Sequence, residues 1–327
     1  MADAPLRLAL LGCGRAAGMH AKALRALGPA VELYYASRDP ERARASAERG
    51  GGRGAFGSYE AALGSPAVDA AVVLTPPPQH LRWTLAALDA GKHVVVEKPP
   101  FLRSSDFDAV EEKARGRGLR VLVAENYHYK PLVASLRRLV ETGAIGPVRF
   151  VCVNALKLQR ASGWRASRDA AGGGPLFEGG IHWVDLMASV GLTVRSACGL
   201  APRPGALPGR SIVALFEYSG GAMGTLLHSW DAPSLLRGLR LSRVHGREGS
   251  IVFESNGLFV AVGGRSPRLL VPRSWRDIEG RVAMWRDFAR CLREGGEPRM
   301  SLARARRDLE LVECIYASLP DALRRVA

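Results

Sequence analysis

Two short segments carry side chains that could move a proton to or from a substrate. The first is Glu97-Lys98-Pro99, which directly follows an apolar run. The second holds Glu178, His182 and Asp185 at i, i+4 and i+7, a spacing that directs all three to one face of a helix. Carboxylates beside an imidazole can position a general base, and a lysine can stabilise negative charge developing on an oxygen. The pattern predicts catalytic roles for Lys98, His182 and Glu178.

Each of these residues also has a plain structural interpretation. Lysine is mostly a solvated surface residue, and Lys98 could be one. His182 could be a core histidine on a helix, and the two acids could be surface groups. The position of Lys98 just past a buried strand, and the glycines at 172–174 in front of Glu178, favour a functional site.

The glycine loop Gly12-Cys13-Gly14-Arg15-Ala16-Ala17 lies between an apolar run and an amphipathic segment. The pattern G-x-G-x-x-A between a strand and a helix is typical of a dinucleotide-binding turn, where glycines let the backbone approach the pyrophosphate. We therefore expect Gly12, Gly14, Arg15 and Ala17 to bind a dinucleotide. A tight turn without a ligand is the alternative.

The end of the second predicted strand bears on the choice of dinucleotide. An NAD site places an acid there, but Glu32 lies at the wrong end of this strand, which closes with Ser37 and Arg38. A hydroxyl and a guanidinium suit a 2′-phosphate. Asp39 competes for the role, but Asp39-Pro40 is better placed to cap the next helix. The sequence favours NADP(H) and leaves NAD(H) possible.

The elements that must position these residues change character along the chain. Strands alternate with helices up to about residue 124, which predicts a doubly wound parallel sheet. The rest is rich in strands and predicts an α+β domain on a large, mostly antiparallel sheet. We expect a dinucleotide-binding domain at 1–124 and a substrate-binding and oligomerisation domain at 125–327. The predicted strands are 6–11, 31–36, 68–74, 93–96, 119–124, 148–158, 211–218, 222–230, 239–245, 250–254 and 258–262, and the predicted helices are 16–27, 40–49, 79–89, 104–117, 132–141, the Glu178 segment, 282–293 and 302–319.

Composition limits the classes of function. The net charge is +15, but the 40 Arg and 6 Lys are spread over 327 residues without a basic block, so we expect no nucleic-acid partner. No apolar run is long enough to span a bilayer, so we expect no membrane association. The five scattered cysteines suggest reduced thiols in the cytoplasm and no metal site.

These motifs together resemble the glucose–fructose oxidoreductase, inositol dehydrogenase and rhizopine-catabolism (Gfo/Idh/MocA) family over nearly the whole chain. The resemblance adds Thr75-Pro76 with His80, the 143–146 turn, and the 309–318 helix to the segments above. It implies a Rossmann domain, a C-terminal sheet whose open face forms a homodimer or homotetramer, and cofactor contacts from Thr75, Pro76, His80, Glu97 and Lys98. The family usually has aspartate where this chain has Glu178, which keeps the carboxylate on a longer side chain.

The predicted function is hydride transfer between a nicotinamide and a secondary alcohol or ketone of a sugar, sugar derivative or cyclic polyol. Lys98, Glu178 and His182 are expected to contact the substrate in a cleft between the two domains. Trp164-Arg165 could add to this site, or could be a packed Trp beside a surface Arg. A cis Lys98–Pro99 peptide bond is also expected. The alternatives are a regulator that binds nucleotide and sugar without catalysis, and a redox-assisted NAD-dependent glycosidase.

Overall fold

The computed structural model describes residues 4–160, 173–202, 210–233, 239–272 and 275–320. The predicted substrate residues Trp164 and Arg165, and Gly172 of the glycine-rich stretch, lie outside these ranges.

The described residues up to 125 contribute the six strands of a parallel sheet. Its order is β3-β2-β1-β4-β5-β6, the doubly wound order in which the chain reverses direction across the sheet between β1 and β4. The central β4 is buried along its whole length, as expected when helices cover both faces of a sheet. The strands are β1 (Leu6–Leu11), β2 (Val31–Ala36), β3 (Gly54–Phe56), β4 (Ala70–Val73), β5 (His93–Glu97) and β6 (Val121–Ala124).

Two of the helices between these strands, α2 and α3, begin at side chains that cap them. Asp39 accepts hydrogen bonds from Glu41 N and Arg42 N, as predicted from Asp39-Pro40, and Ser58 accepts one from Ala61 N. The helices are α1 (Arg15–Leu24), α2 (Pro40–Gly50), α3 (Tyr59–Gly64), α4 (His80–Asp89) and α5 (Asp106–Gly116).

Two features of this half differ from the sequence prediction. The strand β3 and the helix α3 were not predicted, because three and six residues are too few to show a period. The predicted helix 16–27 stops at Leu24 and continues as a 3₁₀ segment, Arg25–Ala30. Gly28 has φ +62° and Pro29 follows it, so an α-helix could not continue here.

The second sheet is mixed and mostly antiparallel, in the order β14-β13-β12-β11-β7-β10-β9-β8, with β7 and β10 paired in parallel. The sequence prediction missed β8 and β14. Burial alternates along β9 and β10, so one face of the sheet is covered and the other is open. The strands are β7 (Val148–Leu156), β8 (Val194–Leu200), β9 (Ser211–Tyr218), β10 (Met223–Ser229), β11 (Leu241–Gly246), β12 (Ser250–Glu254), β13 (Val260–Gly263) and β14 (Arg268–Leu270).

Four further helices complete the described chain. They are α6 (Pro131–Glu141), α7 (Ile181–Ser189), α8 (Arg281–Glu294) and α9 (Leu302–Ala317). A π-helical turn, Leu176–Gly180, leads directly into α7.

The chain divides into two compact units that do not follow the predicted linear division at residue 124. The first unit is Met1–Glu125 with Arg281–Arg306, and the second is Asn126–Gly280 with Arg307–Ala327. The prediction placed α8 in the second domain, whereas its indole Trp285 Nε1 donates to His20 Nδ1 of α1 at 3.2 Å. Sequence patterns could not show this, because residues 126–280 of the second unit lie between α1 and α8 along the chain.

Candidate active site

The glycine loop contains two glycines that are needed for different reasons. Gly12 has φ +122°, and a Cβ there would lie 3.0 Å from the Leu74 carbonyl oxygen, so the fold itself requires glycine. Gly14 has φ −89° and caps α1 without any side-chain hydrogen bond, and a Cβ there would meet nothing within 4 Å. Packing therefore does not explain Gly14, and the open space beside it would fit a pyrophosphate at the first N–H groups of α1.

Other groups around the loop also fit a dinucleotide. Ala17 is buried, so the helix packs closely on the sheet, and Arg15 is exposed beside the N-terminus of α1. The hydroxyl of Thr75, beyond the end of β4, is buried without a hydrogen-bond partner. Pro76 follows it, partly exposed. Burial raises the pKa of the Cys13 thiol, whose sulfur lies 3.6 Å from the Ala36 carbonyl oxygen, so this thiol is no candidate nucleophile.

The end of β2 presents cations and no available acid. Ser37 is buried and accepts a hydrogen bond from Asp39 N, while the Asp39 carboxylate is occupied at the start of α2. Arg38 is exposed, and Arg42 reaches back to the Cys13 carbonyl oxygen at 3.5 Å. Sequence reasoning did not single out Arg42, because only the fold brings the first turn of α2 to the glycine loop.

The carboxylate of Glu97, at the end of β5, is held from both sides. Its Oε2 accepts the Lys98 N–H at 2.9 Å, and its Oε1 lies 3.0 Å from His20 Nε2. The Trp285 indole can only donate, so His20 Nδ1 accepts from it and the ring carries its proton on Nε2. A chain of three hydrogen bonds thus runs from Trp285 through His20 and Glu97 to the peptide of Lys98.

The Glu97-Lys98-Pro99 segment has the backbone that the sequence predicted, with a cis Lys98–Pro99 bond and a half-buried Lys98 side chain. His80 lies below this segment and is 1% exposed. Its Nδ1 is 2.9 Å from Pro99 O and its Nε2 is 2.7 Å from Thr75 O, so the ring bridges the loops after β5 and β4. Burial lowers the pKa of His80, and the contacts with the two carbonyl oxygens oppose that shift without reversing it. His80 therefore acts as a buried support that connects the loop after β4 with the loop after β5.

His182 is the single side chain of α7 that is not buried. The other eight residues of this helix, all within the described chain, are buried, while His182 is partly exposed. Because α7 is enclosed on nearly every side, it holds its one accessible imidazole in a defined position. This is the environment expected for a general base.

One aromatic ring, that of Tyr127, packs against the imidazole and is itself contacted by further groups. His182 stacks on Tyr127 with ring centroids 4.2 Å apart and an interplanar angle of 14°. Trp183 meets the same tyrosine edge-on at 5.3 Å, and Lys130 Nζ lies 3.9 Å from the tyrosine centroid. On the Trp183 ring, the buried Arg240 guanidinium lies at 5.0 Å.

Asp185 does not share the accessible face with His182, contrary to the i, i+4, i+7 prediction. It is fully buried, and its Oδ1 accepts from Ser189 Oγ at 3.0 Å and lies 3.2 Å from His128 Nδ1. Burial alone would raise the pKa of Asp185, but the bond and charge of His128 and the charge of Arg307 outweigh it and lower the pKa. His128 is therefore a buried partner of Asp185, although 57 residues separate the two along the chain.

The π-helical turn and its glycines explain the placement of Glu178. A Cβ on Gly179 would lie 2.9 Å from the Trp230 ring, and one on Gly180 would lie 2.6 Å from Leu176, so close packing requires both glycines. Glu178 is 6% exposed. The π turn winds more slowly than an α-helix, so the sequence spacing of Glu178 and His182 does not translate directly into a shared face.

The described residues contain no group of three His, Cys, Asp or Glu side chains that could hold a metal ion. A helix long and apolar enough to cross a membrane is likewise not found in the described part of the chain.

Two family matches cover most of the chain. Residues 6–125 match an oxidoreductase family with an NAD-binding Rossmann fold, GFO/IDH/MocA. Residues 133–252 match the GFO/IDH/MocA C-terminal domain.

Individual relatives are dehydrogenases and reductases. The dTDP-3,4-didehydro-2,6-dideoxy-alpha-D-glucose 3-reductase of Streptomyces violaceoruber is 36% identical over 59% of this chain, and the match spans only 57% of that protein. D-apiose dehydrogenase of Paraburkholderia graminis is 25% identical over 95% of this chain and 86% of its own. The crystal structure of WlbA dehydrogenase from Bordetella pertussis, in complex with NADH and UDP-GlcNAcA, has a TM-score of 0.81, 25% identity, and coverage of 97% and 96%. Because these two family matches together cover residues 6–125 and 133–252, more than half of the chain, it belongs to the Gfo/Idh/MocA oxidoreductase family.

Proposed function

We propose that this protein is an NAD(P)-dependent oxidoreductase that transfers hydride between the nicotinamide and a secondary alcohol or ketone of a sugar, a sugar derivative or a cyclic polyol. The observation that carries the proposal is the single accessible imidazole, His182, on the otherwise buried α7. The dinucleotide-binding loop and the lysine at the end of β5 support it. The relatives named above act on sugars or nucleotide-linked sugars, which suggests the substrate class.

Each candidate residue has one task in this proposal. His182 accepts the proton of the substrate hydroxyl during oxidation and returns it during reduction. Lys98 donates a hydrogen bond to the same oxygen and stabilises its developing negative charge. Glu178 orients the substrate. A nicotinamide dinucleotide held at the glycine loop after β1 would supply the hydride-transfer chemistry.

The test is turnover with a panel of sugars, nucleotide-linked sugars and cyclic polyols, followed by the absorbance of the reduced nicotinamide. Lys98→Ala and His182→Ala should each reduce kcat by roughly a hundred-fold or more, and Glu178→Gln should have a smaller effect. The exposed Lys22 of α1 provides a matched control, and Lys22→Ala should retain parental turnover. Binding of cofactor and sugar without turnover across the panel would support a regulator instead.

We propose NADP(H) as the preferred cofactor. The support is the exposed Arg38 and the neighbouring Arg42 at the end of β2, together with the engagement of Asp39 in capping α2. Losing one charge-assisted contact costs about 1.5–3 kcal/mol, so Arg38→Ala should weaken NADP(H) binding by roughly ten-fold or more and leave NAD(H) little changed. Equal weakening of both cofactors in a fluorescence titration would refute the assignment.

We also propose that the open face of the second sheet joins copies of this chain as a homodimer or homotetramer. Its exposed apolar side chains include Phe150, Met223, Leu227 and Leu241, which is a large set for a solvated surface. Phe150→Glu should shift the sedimentation coefficient towards the monomer. Trp275→Glu is the control, because Trp275 is 59% exposed but lies outside the sheet. A parental protein that sediments as a monomer would exclude this interface.

A further inference from the structure

We propose that Tyr127 is a positioning residue that fixes the plane of the His182 imidazole. This inference rests on the proposed function, in which His182 is the general base. Tyr127 belongs to a short 3₁₀ turn, Asn126–Tyr129, that precedes α6.

The contact between the two rings restricts rotation of the imidazole. The centroids are 4.2 Å apart and the planes are nearly parallel, at 14°. The side-chain torsion that turns a histidine ring about its Cβ–Cγ bond is broad when nothing opposes it. A flat ring in van der Waals contact leaves the imidazole only orientations parallel to the tyrosine. The lone pair of the base then lies in a fixed plane.

Tyr127 is itself held on other sides. The edge contact with Trp183, at 5.3 Å and 87°, and the Lys130 ammonium at 3.9 Å both engage its ring. Lys130 is 2% exposed, so its charge acts on the ring with little screening by water. The tyrosine therefore does not move as a free side chain would.

The turn that carries Tyr127 is fixed to α7 and to the rest of the second unit. The next residue, His128, contacts Asp185, less than one turn beyond His182 on the same helix. Asn126 Nδ2 donates to Glu279 O at 2.6 Å. A Cβ on Gly280 would come within 2.5 Å of the Tyr129 carbonyl carbon, so the backbones of the two segments are in direct contact. The 126–129 turn thus contacts α7 at three residues, His182, Trp183 and Asp185.

The chemical value of this arrangement is preorganisation. A base must point its lone pair at the substrate hydroxyl within about 10–20° for efficient proton transfer. Tyr127 touches no reacting atom in this proposal and acts only through His182. The aromatic plane is the essential feature, and the phenolic oxygen is not.

A spectroscopic experiment tests the contact without reference to turnover. In full-length protein labelled at histidine, a ring proton of His182, identified by its loss in His182→Gln, should be shifted upfield by the tyrosine ring current. Tyr127→Phe keeps the aromatic plane and should preserve the shift. Tyr127→Leu should abolish it. An unshifted His182 signal in the parent or in Tyr127→Phe overturns the proposal, even if Tyr127→Leu fails to fold.

Kinetics test the consequence. Tyr127→Leu removes the aromatic plane, so it should lower kcat by roughly ten-fold or more and leave the KM for the cofactor unchanged. Tyr127→Phe keeps that plane, so its kcat should stay within about three-fold of the parent. If Tyr127→Leu turns over at the parental rate while His182→Gln is inactive, the positioning role of Tyr127 is contradicted and the base assignment of His182 is not. Parental turnover in His182→Gln instead removes the base assignment of the proposed function, whatever the spectra show.

Discussion

At the scale of single residues, the glycine loop separates a need of the fold from a need of a ligand. Gly12 has positive φ and a carbonyl oxygen at its missing Cβ, whereas the missing Cβ of Gly14 faces open space. Both glycines belong to the same motif, so the motif alone could not distinguish them. The local geometry does.

This contrast predicts opposite behaviour for two alanine variants. Gly14→Ala should leave the free energy of unfolding within about 0.5 kcal/mol of the parent and weaken cofactor binding, because the added methyl group occupies space next to the free N–H groups of α1. Gly12→Ala should lower the free energy of unfolding by about 1–3 kcal/mol, because it strains the backbone. Denaturant unfolding and cofactor titration measure both. Normal cofactor affinity in Gly14→Ala would contradict the ligand explanation.

The hydrogen-bond chain from Trp285 to the Lys98 peptide gives a second prediction at this scale. Trp285→Phe removes the donor to His20 Nδ1, so a proton is no longer disfavoured on that nitrogen. The ¹⁵N spectrum of His20 at neutral pH should then show an increased fraction of the Nδ1–H tautomer. Phe288→Leu is the matched control, because Phe288 is buried and its ring centroid lies 6.0 Å from that of Trp285 without bonding His20. An unchanged tautomer ratio in Trp285→Phe would contradict the chain.

At the scale of elements, α7 is secured by a buried charged group, Asp185, which lies three residues beyond the accessible imidazole of His182. Asp185 is enclosed with His128, Ser189 and Arg307, and Arg307 lies at 3.8 Å. Breaking a buried pair by removing one partner typically costs about 3–5 kcal/mol, because the other group stays buried and unpaired.

Asp185→Asn should therefore lower the free energy of unfolding by about 3–5 kcal/mol. His128→Gln should destabilise as well, and the double variant should be less destabilised than the sum of the two single changes. Denaturant unfolding of the four proteins completes the cycle. Simple additivity would show that the His128–Asp185 contact contributes nothing.

At the scale of the whole molecule, buried ionisable groups make stability depend on pH. His228 is 1% exposed, and neither ring nitrogen has a hydrogen-bond partner. Burial, with Lys157 and Arg240 nearby, lowers its pKa from 6.5 to about 3. The unfolded chain therefore binds a proton at this residue between about pH 6.5 and pH 3, and the folded chain does not.

Stability should consequently fall as the pH drops below about 6.5, with His228 contributing up to about 1.4 kcal/mol per pH unit. Asp185, whose pKa is lowered, loses its contribution only at more acidic pH, as the solution passes through its folded-state pKa. His228→Leu should reduce the slope of unfolding free energy between pH 7 and pH 5, as measured by denaturant titration at each pH. An identical slope in the variant would show that His228 is not responsible.

The sequence predicted most of the fold because long strands and helices leave clear periods and caps. The β2 and β9 bounds and the Asp39 cap agree with the structure. The glycine loop and Glu97-Lys98-Pro99 were identifiable because each lies within a few consecutive residues. His20, Tyr127 and Trp285 gave no signal, because their contacts join residues far apart along the chain. The catalytic roles themselves remain predictions.

The discontinuous first unit has a consequence for gene fusion and recombination. Because Arg281–Arg306 returns to Met1–Glu125, a chimera with one crossover at residue 125 takes His20 and Trp285 from different parents. Such a hybrid can lose the donor that orients His20, even when both parental proteins are stable. Functional exchange of the nucleotide-binding half between relatives therefore needs three crossovers, near residues 125, 280 and 306. The part of the chain that must be exchanged as one piece therefore consists of two segments, Met1–Glu125 and Arg281–Arg306.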